Sequence, residues 1–372
     1  MHTGKWLRTG LNLALSILLI VSCAKQNPFN GPTPTDPANA KTTGNLFPPP
    51  PPPPFPPPTI RIWLAGPTLP IRSGWGRFSM GSFALSGQGY FVAGGIMDAT
   101  HIQGTSTDVI CFNPTTGAWS QKAAFPGYAR TGMASFAVNN LGYICTGVGS
   151  NYSTSTTETW QYSPIQNYWS RKAALPGPAR SFGVGVGLNG MGYVGLGTTN
   201  AGGEDGGLND WWQYNPSTDS WAVKRSLPAT RGRWGAIAFA NDQPGGKAYV
   251  GTGVDWPFYG PGYNDCNEYD PVADTWTPMP SLPTGTPGRM YAVGMSLPDG
   301  GVVGTGYNGY NYTDFWEFSY STKTWSKMAD IPGQRFLAQG FAIGRTLYVG
   351  GGLYGPGDTP PTAMSDFYSL YW

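Results

Sequence analysis

The sequence predicts an all-β fold made of a repeated unit of about fifty residues. Five tryptophans share one two-sided spacing, because each lies eleven residues after an acidic residue and seven residues before a proline. They are Trp119, Trp169, Trp221, Trp276 and Trp325. The chain also holds 55 glycines and 36 prolines, and no helical periodicity of useful length follows residue 22, which favours short strands joined by tight turns. One such unit cannot bury its apolar faces alone, so the copies must stack.

The first 22 residues are typical of a secretory signal peptide. Lys5 and Arg8 precede an apolar run, Leu11 to Val21, that is too short to span a bilayer. Residues 20–23 resemble the lipobox of bacterial lipoproteins, in which cleavage leaves an acylated cysteine at the new N-terminus. The resemblance implies lipidation at Cys23, and the alternative is an ordinary secretory signal with a chance cysteine.

The next segment is predicted to be a tether. Prolines fill 48–54 and 56–58, which favours an extended polyproline II rod over a packed core. A ligand for domains that bind proline-rich peptides is the alternative, but the position between anchor and domain favours a spacer. The predicted organisation is a signal peptide at 1–22, a lipid-anchored linker at 23–59 and a folded domain at 60–372.

The third copy of the repeat shows what one unit contains. Its sequence predicts four short strands, here called a to d, at Phe182–Leu188, Gly192–Gly197, Asp210–Tyr214 and Trp221–Lys224. Strands a and c begin at one end of such an antiparallel sheet, so the b–c loop and the connection from d to the next copy share one face.

A second spacing extends the count to six copies. An arginine opens each strand a, and a glycine follows it by 17 residues at the end of strand b in all copies except the fourth, where the interval is 20. The last copy stops after strand c, but Trp63 precedes Pro70 by the same seven residues as the other tryptophans. We therefore expect Ile60–Leu64 to supply the missing strand d, which predicts a closed ring of six blades without exposed sheet edges.

These marks resemble kelch repeats. They are the glycines that end strand b, the aromatic residue in strand c and the tryptophan of strand d, as in Gly94-Gly95, Gly350-Gly351-Gly352, Tyr162, Tyr214 and Tyr269. The resemblance covers residues 60–372 and implies a six-bladed kelch-type β-propeller. It leaves the activity open, because such propellers include binding modules and a few enzymes.

Loop length points to one face as the functional one. The distance from the strand b glycine to the strand c acid varies from 8 to 14 residues, whereas the distance from that acid to the tryptophan is constant. The variable loops carry Trp256, Tyr259, Tyr310 and Tyr354, which suit recognition of sugars or peptides. The alternative is that these rings pack on each other to hold long loops in place.

The arginines that open strand a lie on the same face. Those predicted to bind ligand are Arg130, Arg180, Arg233, Arg289 and Arg335, and Arg77 is equivalent. Similar arginines in some kelch domains bind ligand carboxylates, so the resemblance implies an anionic peptide or an acidic sugar. Each strand c also begins with an acid on this face. The structural alternative is therefore an arginine–carboxylate pair inside every blade, which explains most of these six arginines and six acids without a ligand.

Little in the sequence supports catalysis. After the signal peptide the single histidine, His101, argues against a metal centre, and no cofactor or catalytic residue is expected. Glu204 and Asp205 could ligate calcium, but a solvated acidic turn is favoured. Kelch sialic acid isomerases suggest the enzyme alternative, a metal-independent sugar epimerase or mutarotase in which Glu204, Asp205 or Asp255 would transfer protons beside an arginine.

Charge and cysteines limit the partners. After the signal peptide, 20 basic and 20 acidic residues remain, without basic runs, which argues against nucleic acid. Cys111, Cys145 and Cys266 lack metal-ligand spacing and fall in predicted strands, so we interpret them as packing residues.

The predicted function is a monomeric binding module in the bacterial cell envelope. A lipid anchor would hold it at the outer membrane, on the periplasmic or surface side, as its sole membrane contact. Its b–c and d–a loop face would bind a carbohydrate or a protein. The alternatives are the sugar isomerase and a purely structural scaffold.

Overall fold

The structure is a computed structural model that describes residues 61–98, 102–150, 152, 154–199, 206–228, 232–255, 262–355 and 361–372. The predicted signal peptide, Cys23 and the proline-rich linker lie outside the described residues. Within these ranges the regular secondary structure is all β, as predicted, and no helix has the length and apolar character needed to cross a bilayer.

The described residues form six four-stranded antiparallel sheets, called here sheets I to VI. In sheets I to V, strands a, b, c and d follow one another along the chain and are neighbours in the sheet. The strands are Gly81–Leu85, Gln88–Val92, Val109–Asn113 and Ala118–Lys122 in sheet I; Ala134–Val138, Leu141–Cys145, Thr159–Ser163 and Tyr168–Lys172 in II; Val184–Leu188, Met191–Gly195, Trp211–Asn215 and Ser220–Lys224 in III; Ile237–Ala240, Ala248–Gly251, Cys266–Asp270 and Thr275–Met279 in IV; and Val293–Ser296, Gly300–Gly304, Phe315–Ser319 and Trp325–Lys327 in V.

Sheet VI combines both ends of the domain. Its strands a, b and c are Gln339–Ile343, Thr346–Gly350 and Phe367–Tyr371, and its strand d is Leu64–Ala65, which pairs with Phe367–Tyr371. The prediction placed this strand at Ile60–Leu64. The observed strand is shorter and begins at Leu64, where Leu64 faces Ser369 and Ala65 faces Tyr368.

Three smaller sheets, which the repeat analysis did not predict, lie beyond the ends of strands a and b. They are Gly76–Phe78 with Gly95–Met97 and Ile102–Thr105, Arg130–Thr131 with Val148–Gly149, and Leu353–Tyr354 with Thr362–Ala363. They continue the chain past the main strands and into the b–c and d–a loops.

Strand a begins later than predicted because a left-handed residue precedes it. In sheet III the strand starts at Val184, since Phe182 has a φ of 54° and cannot continue an extended strand. All six positions two residues after the arginine share this conformation. They are Ser79, Gly132, Phe182, Gly235, Tyr291 and Leu337.

These left-handed residues connect each sheet to the one before it. The amide of Phe182 donates to the carbonyl of Gly132 at 2.8 Å, and the amide of Leu337 donates to that of Tyr291 at 3.1 Å. The series returns to its start, because Ser79 N donates to Leu337 O at 2.8 Å and Gly132 N donates to Ser79 Oγ at 3.0 Å.

The glycines that end strand b form a second series of connections. Each has a φ between 89° and 106° and donates its amide to the carbonyl of the next sheet's arginine, as Gly147 does to Arg180 at 2.9 Å and Gly352 does to Arg77 at 2.7 Å. A Cβ at any of the six glycine positions would lie 2.6–3.0 Å from a carbonyl oxygen. Only glycine fits this position, which explains the constant spacing.

The tryptophan spacing has an equally direct cause. Each strand d indole donates to a carbonyl of the preceding sheet, four residues beyond that sheet's own tryptophan, at 2.8–3.1 Å. Trp169 donates to Ala123, Trp119 donates to Pro67, and Trp63 donates to Ala329. Trp63 therefore makes the same contact as the other five.

The c–d turns contact the preceding sheet at the same residue whose carbonyl accepts the strand d indole bond. Asn167, Asp219 and Asp274 each accept a bond from a strand c tyrosine hydroxyl and from the backbone amide next door, as Asp219 does from Tyr214 at 2.6 Å and Ala173 at 2.9 Å. Where strand c carries phenylalanine instead, the turn residue is Gly117 or Lys323. Among the described sheets, the c–d turn therefore carries an Asn or Asp acceptor where strand c carries a tyrosine whose hydroxyl donates to it.

The cysteines are packing residues, as predicted. Cys111, Cys145 and Cys266 are buried and none of them forms a disulfide within the described residues. Burial raises the pKa of the Cys145 thiol to about 11, which keeps it protonated and unreactive at neutral pH.

We expect Trp63→Phe to destabilise the domain as much as Trp169→Phe. Both indoles are almost fully buried and both changes remove one intersheet hydrogen bond with some packing, so each should lower the free energy of unfolding by about 1–3 kcal/mol in urea titrations. Val223→Ala, on an exposed strand d side chain, is the control. An effect of Trp63→Phe no larger than the control's would mean that the bond from the Trp63 indole to Ala329 contributes nothing to stability.

Candidate functional site

The b–c and d–a loop face is built on six buried arginines. Their exposed fractions are at most 3%, although each carries a charge. Each guanidinium pairs with the acid that directly precedes strand c of its own sheet. The pairs are Arg77–Asp108, Arg130–Glu158, Arg180–Asp210, Arg233–Asp265, Arg289–Asp314 and Arg335–Asp366. The ion pair predicted inside every repeat is thus confirmed.

The geometry of these pairs uses most of the guanidinium donors. In sheet V, Arg289 makes two bonds to Asp314, at 2.6 and 2.8 Å, and a third to the carbonyl of Thr305 at 2.9 Å. Arg130, Arg180 and Arg335 also donate Nε to a carbonyl in the preceding loop. A buried charge is tolerated only when it is paired and hydrogen-bonded in this way.

Aromatic rings cover four of the guanidinium groups. Tyr128 lies over Arg130 at 4.0 Å, Tyr263 over Arg233 at 4.3 Å, and Tyr312 over Arg289 at 4.4 Å. Tyr368 lies over Arg335 at 5.3 Å. Direct ligand contact with the five predicted arginines would require these pairs to open, so the geometry favours their structural role, and their role in ligand binding stays a prediction.

The carboxylates of the pairs are held by a second donor in several sheets. Trp316 donates its indole N–H to Asp314 at 2.8 Å, and Trp160 does so to Glu158 at 3.3 Å. Burial would raise the pKa of Asp314, but the bonds from Arg289 and Trp316 outweigh it and leave that pKa below its ordinary value. The balance at Glu158 is the same, with Arg130 and Trp160 as donors.

An aromatic cluster that includes two of the left-handed residues was not predicted from the sequence. Phe182, Trp234 and Tyr291 pack together with ring centroids 5.2–6.1 Å apart, and Tyr291 and Tyr307 reach Phe336. Burial raises the pKa of Tyr291 far above its ordinary range. The available signal was their register, because four of them lie one or two residues after a strand a arginine.

Exposed tyrosines mark the outer part of the same face. Tyr310 is 79% exposed and Tyr354 is 40% exposed, on the b–c loops of sheets V and VI. The two loops are joined next to these residues, because Asn311 Nδ2 donates to the carbonyl of Gly355 at 2.9 Å. Tyr310 and Tyr354 therefore each lie next to a residue of the hydrogen bond that joins the two loops. Trp256 and Tyr259, predicted to act with them, lie outside the described residues.

The residues named for catalysis or metal binding are mostly not described. Glu204, Asp205 and His101 lie outside the described residues, and Asp255 is partly buried and accepts a long bond from Gly207 N at 3.4 Å. The described ranges contain no group of three or more His, Cys, Asp or Glu side chains placed to hold a metal ion.

Comparison with known proteins supports the fold. No protein-family model matches the chain, and the comparison with curated proteins found no match either. A solved structure of YjhT is similar, with a TM-score of 0.63 and 16% sequence identity, and the match covers 81% of this chain and 95% of that one. This likeness, together with the small four-stranded sheets, supports a β-propeller.

We expect Arg180→Ala to lower the free energy of unfolding by about 3–5 kcal/mol, because it leaves the Asp210 carboxylate without its buried partner. Arg171→Ala is a matched control, since Arg171 also pairs with a strand c acid but is 64% exposed, and its loss should cost at most about 1 kcal/mol. Urea unfolding gives both values. Equal, small effects would show that the buried pair is dispensable and would return Arg180 to the candidates for ligand binding.

Proposed function

We propose that the chain is a lipid-anchored cell-envelope protein whose domain, residues 60–372, is a closed six-bladed propeller of the kelch type. Three series of intersheet hydrogen bonds support the closed ring, because each passes from sheet to sheet and returns from sheet VI to sheet I. The pairing of Leu64–Ala65 with the last strand supports it too. A ring of this kind needs no partner to cover its edges, which fits a monomer.

We propose further that this propeller binds a carbohydrate or a protein through its b–c and d–a loop face. The observation that carries the proposal is the pair of exposed tyrosines, Tyr310 and Tyr354, on loops joined by the bond from Asn311 to Gly355. A ring held on a fixed loop loses little conformational freedom on binding, and it offers an apolar face with a polar hydroxyl at its edge. Such rings suit sugar faces and peptide side chains.

The charge of the face narrows the chemistry of the ligand. The six arginines are already neutralised by carboxylates, so the described part of the face offers no uncompensated positive cluster for an anionic ligand. Stacking and hydrogen bonds of neutral groups should therefore dominate recognition. We favour a neutral carbohydrate or an uncharged peptide segment over the acidic ligand that the kelch resemblance implies.

Glycan and peptide arrays test the binding function. We expect the purified protein to bind a defined subset of the array. Tyr310→Ala or Trp256→Ala should reduce that binding by about tenfold, since each removes the buried area of a ring and up to roughly 1.5 kcal/mol of stacking beyond it. Tyr168→Ala is the matched control, because Tyr168 is 64% exposed but begins a strand d at the opposite end of its sheet.

Two results would overturn this proposal. Absence of any selective binding would leave a structural scaffold as the better description. Equal losses for Tyr310→Ala and Tyr168→Ala would place the binding surface elsewhere. Conversion of a bound sugar into its isomer would instead favour the epimerase or mutarotase.

The membrane attachment is proposed from the sequence alone. Cys23 would carry the lipid, and the proline-rich segment at 23–59 would hold the propeller away from the bilayer. We expect Cys23→Ser to move the protein from the membrane to the soluble fraction of a bacterial host and to abolish incorporation of labelled palmitate. Membrane retention of the variant would show that Cys23 is not the anchor.

A further inference from the structure

One position distinguishes sheet I from sheets II to V, and in sheet VI this position is Tyr368. Two residues after the acid of strand c, three sheets carry a tryptophan whose indole N–H donates to that acid: Trp160 to Glu158, Trp212 to Asp210 and Trp316 to Asp314. Sheet IV carries Asn267, which donates to Asp265 at 2.9 Å. Sheet I carries Ile110, which has neither the ring nor the donor.

The ion pair of sheet I is correspondingly incomplete. The Asp108 side chain is 50% exposed, whereas the other five acids are between 17% and 35% exposed. Arg77 reaches Asp108 through Nη2 alone, although the whole residue is only 1% exposed. Its buried Nη1 has no hydrogen-bond partner among the described residues, whereas Nη1 of each of the other five arginines donates to a carbonyl. The Asp108 carboxylate therefore keeps acceptor capacity that the equivalent acids use internally.

A cavity lies beside Asp108. Its lining residues are Pro70, Asp108, Ile110, Trp119, Ser120 and Gln121, and it has a volume of about 80 Å³ and is partly open to solvent. Ile110 and Gln121 face each other across strands c and d, and Pro70 comes from the segment that leads from sheet VI into sheet I. The cavity is therefore next to the place that an indole occupies in sheets II, III and V.

The lining is amphipathic. Pro70, Ile110 and Trp119 are its apolar lining residues, while Asp108 can accept hydrogen bonds and Ser120 and Gln121 can both donate and accept them. Asp108 is compensated by Arg77, so the site carries no net charge to attract an ion. A neutral sugar matches this lining, because its hydroxyl groups can donate to polar side chains and the C–H face of its ring can pack on apolar ones.

We propose that this cavity is a binding site for one neutral sugar ring, with a sugar hydroxyl donating to Asp108 where the other sheets place an indole N–H. It is separate from the Tyr310–Tyr354 surface and does not rest on that surface binding a ligand.

The test fills the cavity with the residue that the other sheets already use. Ile110→Trp should place an indole against Asp108 and exclude the sugar, whereas Ile110→Val keeps the cavity open. The full-length protein is titrated with glucose, galactose, mannose and N-acetylglucosamine up to the millimolar range, with tryptophan fluorescence and calorimetry as readouts. We expect saturable binding of at least one sugar, a loss of about tenfold or more in Ile110→Trp, and retention in Ile110→Val.

Folding and the second surface are controlled separately. Ile110 is 2% exposed and packs in an apolar cluster, so Ile110→Trp should lower the melting temperature while the protein still folds. Gln121→Ala, on an exposed side chain, should weaken sugar binding without changing the melting temperature. Tyr310→Ala should leave binding of the single sugars unchanged while it weakens binding of the array ligands. No saturable binding by the wild-type protein, or unchanged binding by both Ile110→Trp and Gln121→Ala, would overturn the proposal.

Discussion

The structure depends on hydrogen bonds that no four-stranded sheet can make by itself. At each junction, the amide of a left-handed glycine donates to the carbonyl of the next sheet's arginine, and the guanidinium of that arginine is buried against its own sheet's acid. One residue thus joins two sheets through its backbone and the strands of one sheet through its side chain. Substitution of either the arginine or its acid would leave the other side chain without its charged partner, which costs more than the pair itself contributes.

This frame separates the constant part of each repeat from the part that can carry a function. The tryptophan, the turn acceptor and the strand b glycine each have an assigned partner in a neighbouring sheet, so their spacing cannot vary. The b–c loops begin just beyond the glycine, and their residues do not share one repeated partner in a neighbouring sheet. Their lengths vary, and the exposed Tyr310 and Tyr354 occur there. Binding residues on loops above a rigid support are common in propellers and other β folds.

The arginines illustrate how much of the candidate site the sequence could reveal. Their period predicted both a ligand site and an internal ion pair, and the intervals alone could not choose between them. Burial favours the ion pair, because Arg180 is 0% exposed and bonded to Asp210. The aromatic cluster around Trp234 and Tyr291 was not predicted, because its members come from different sheets and follow no single residue type.

The sequence by itself determined the repeat, its six copies of strands a and b and the approximate strand positions, because each sheet repeats the same local contacts at fixed spacing. It also placed a tryptophan, Trp63, where the last sheet required one. Only the tertiary structure revealed the features that depend on a departure from the repeat, such as the cavity beside Asp108. Ile110 is an ordinary apolar residue in a strand, and it becomes informative only when Trp160, Trp212 and Trp316 are seen to fill the equivalent space beside their acids. A missing side chain leaves no motif in a sequence, but in a packed structure it leaves a cavity and an acceptor without a second donor.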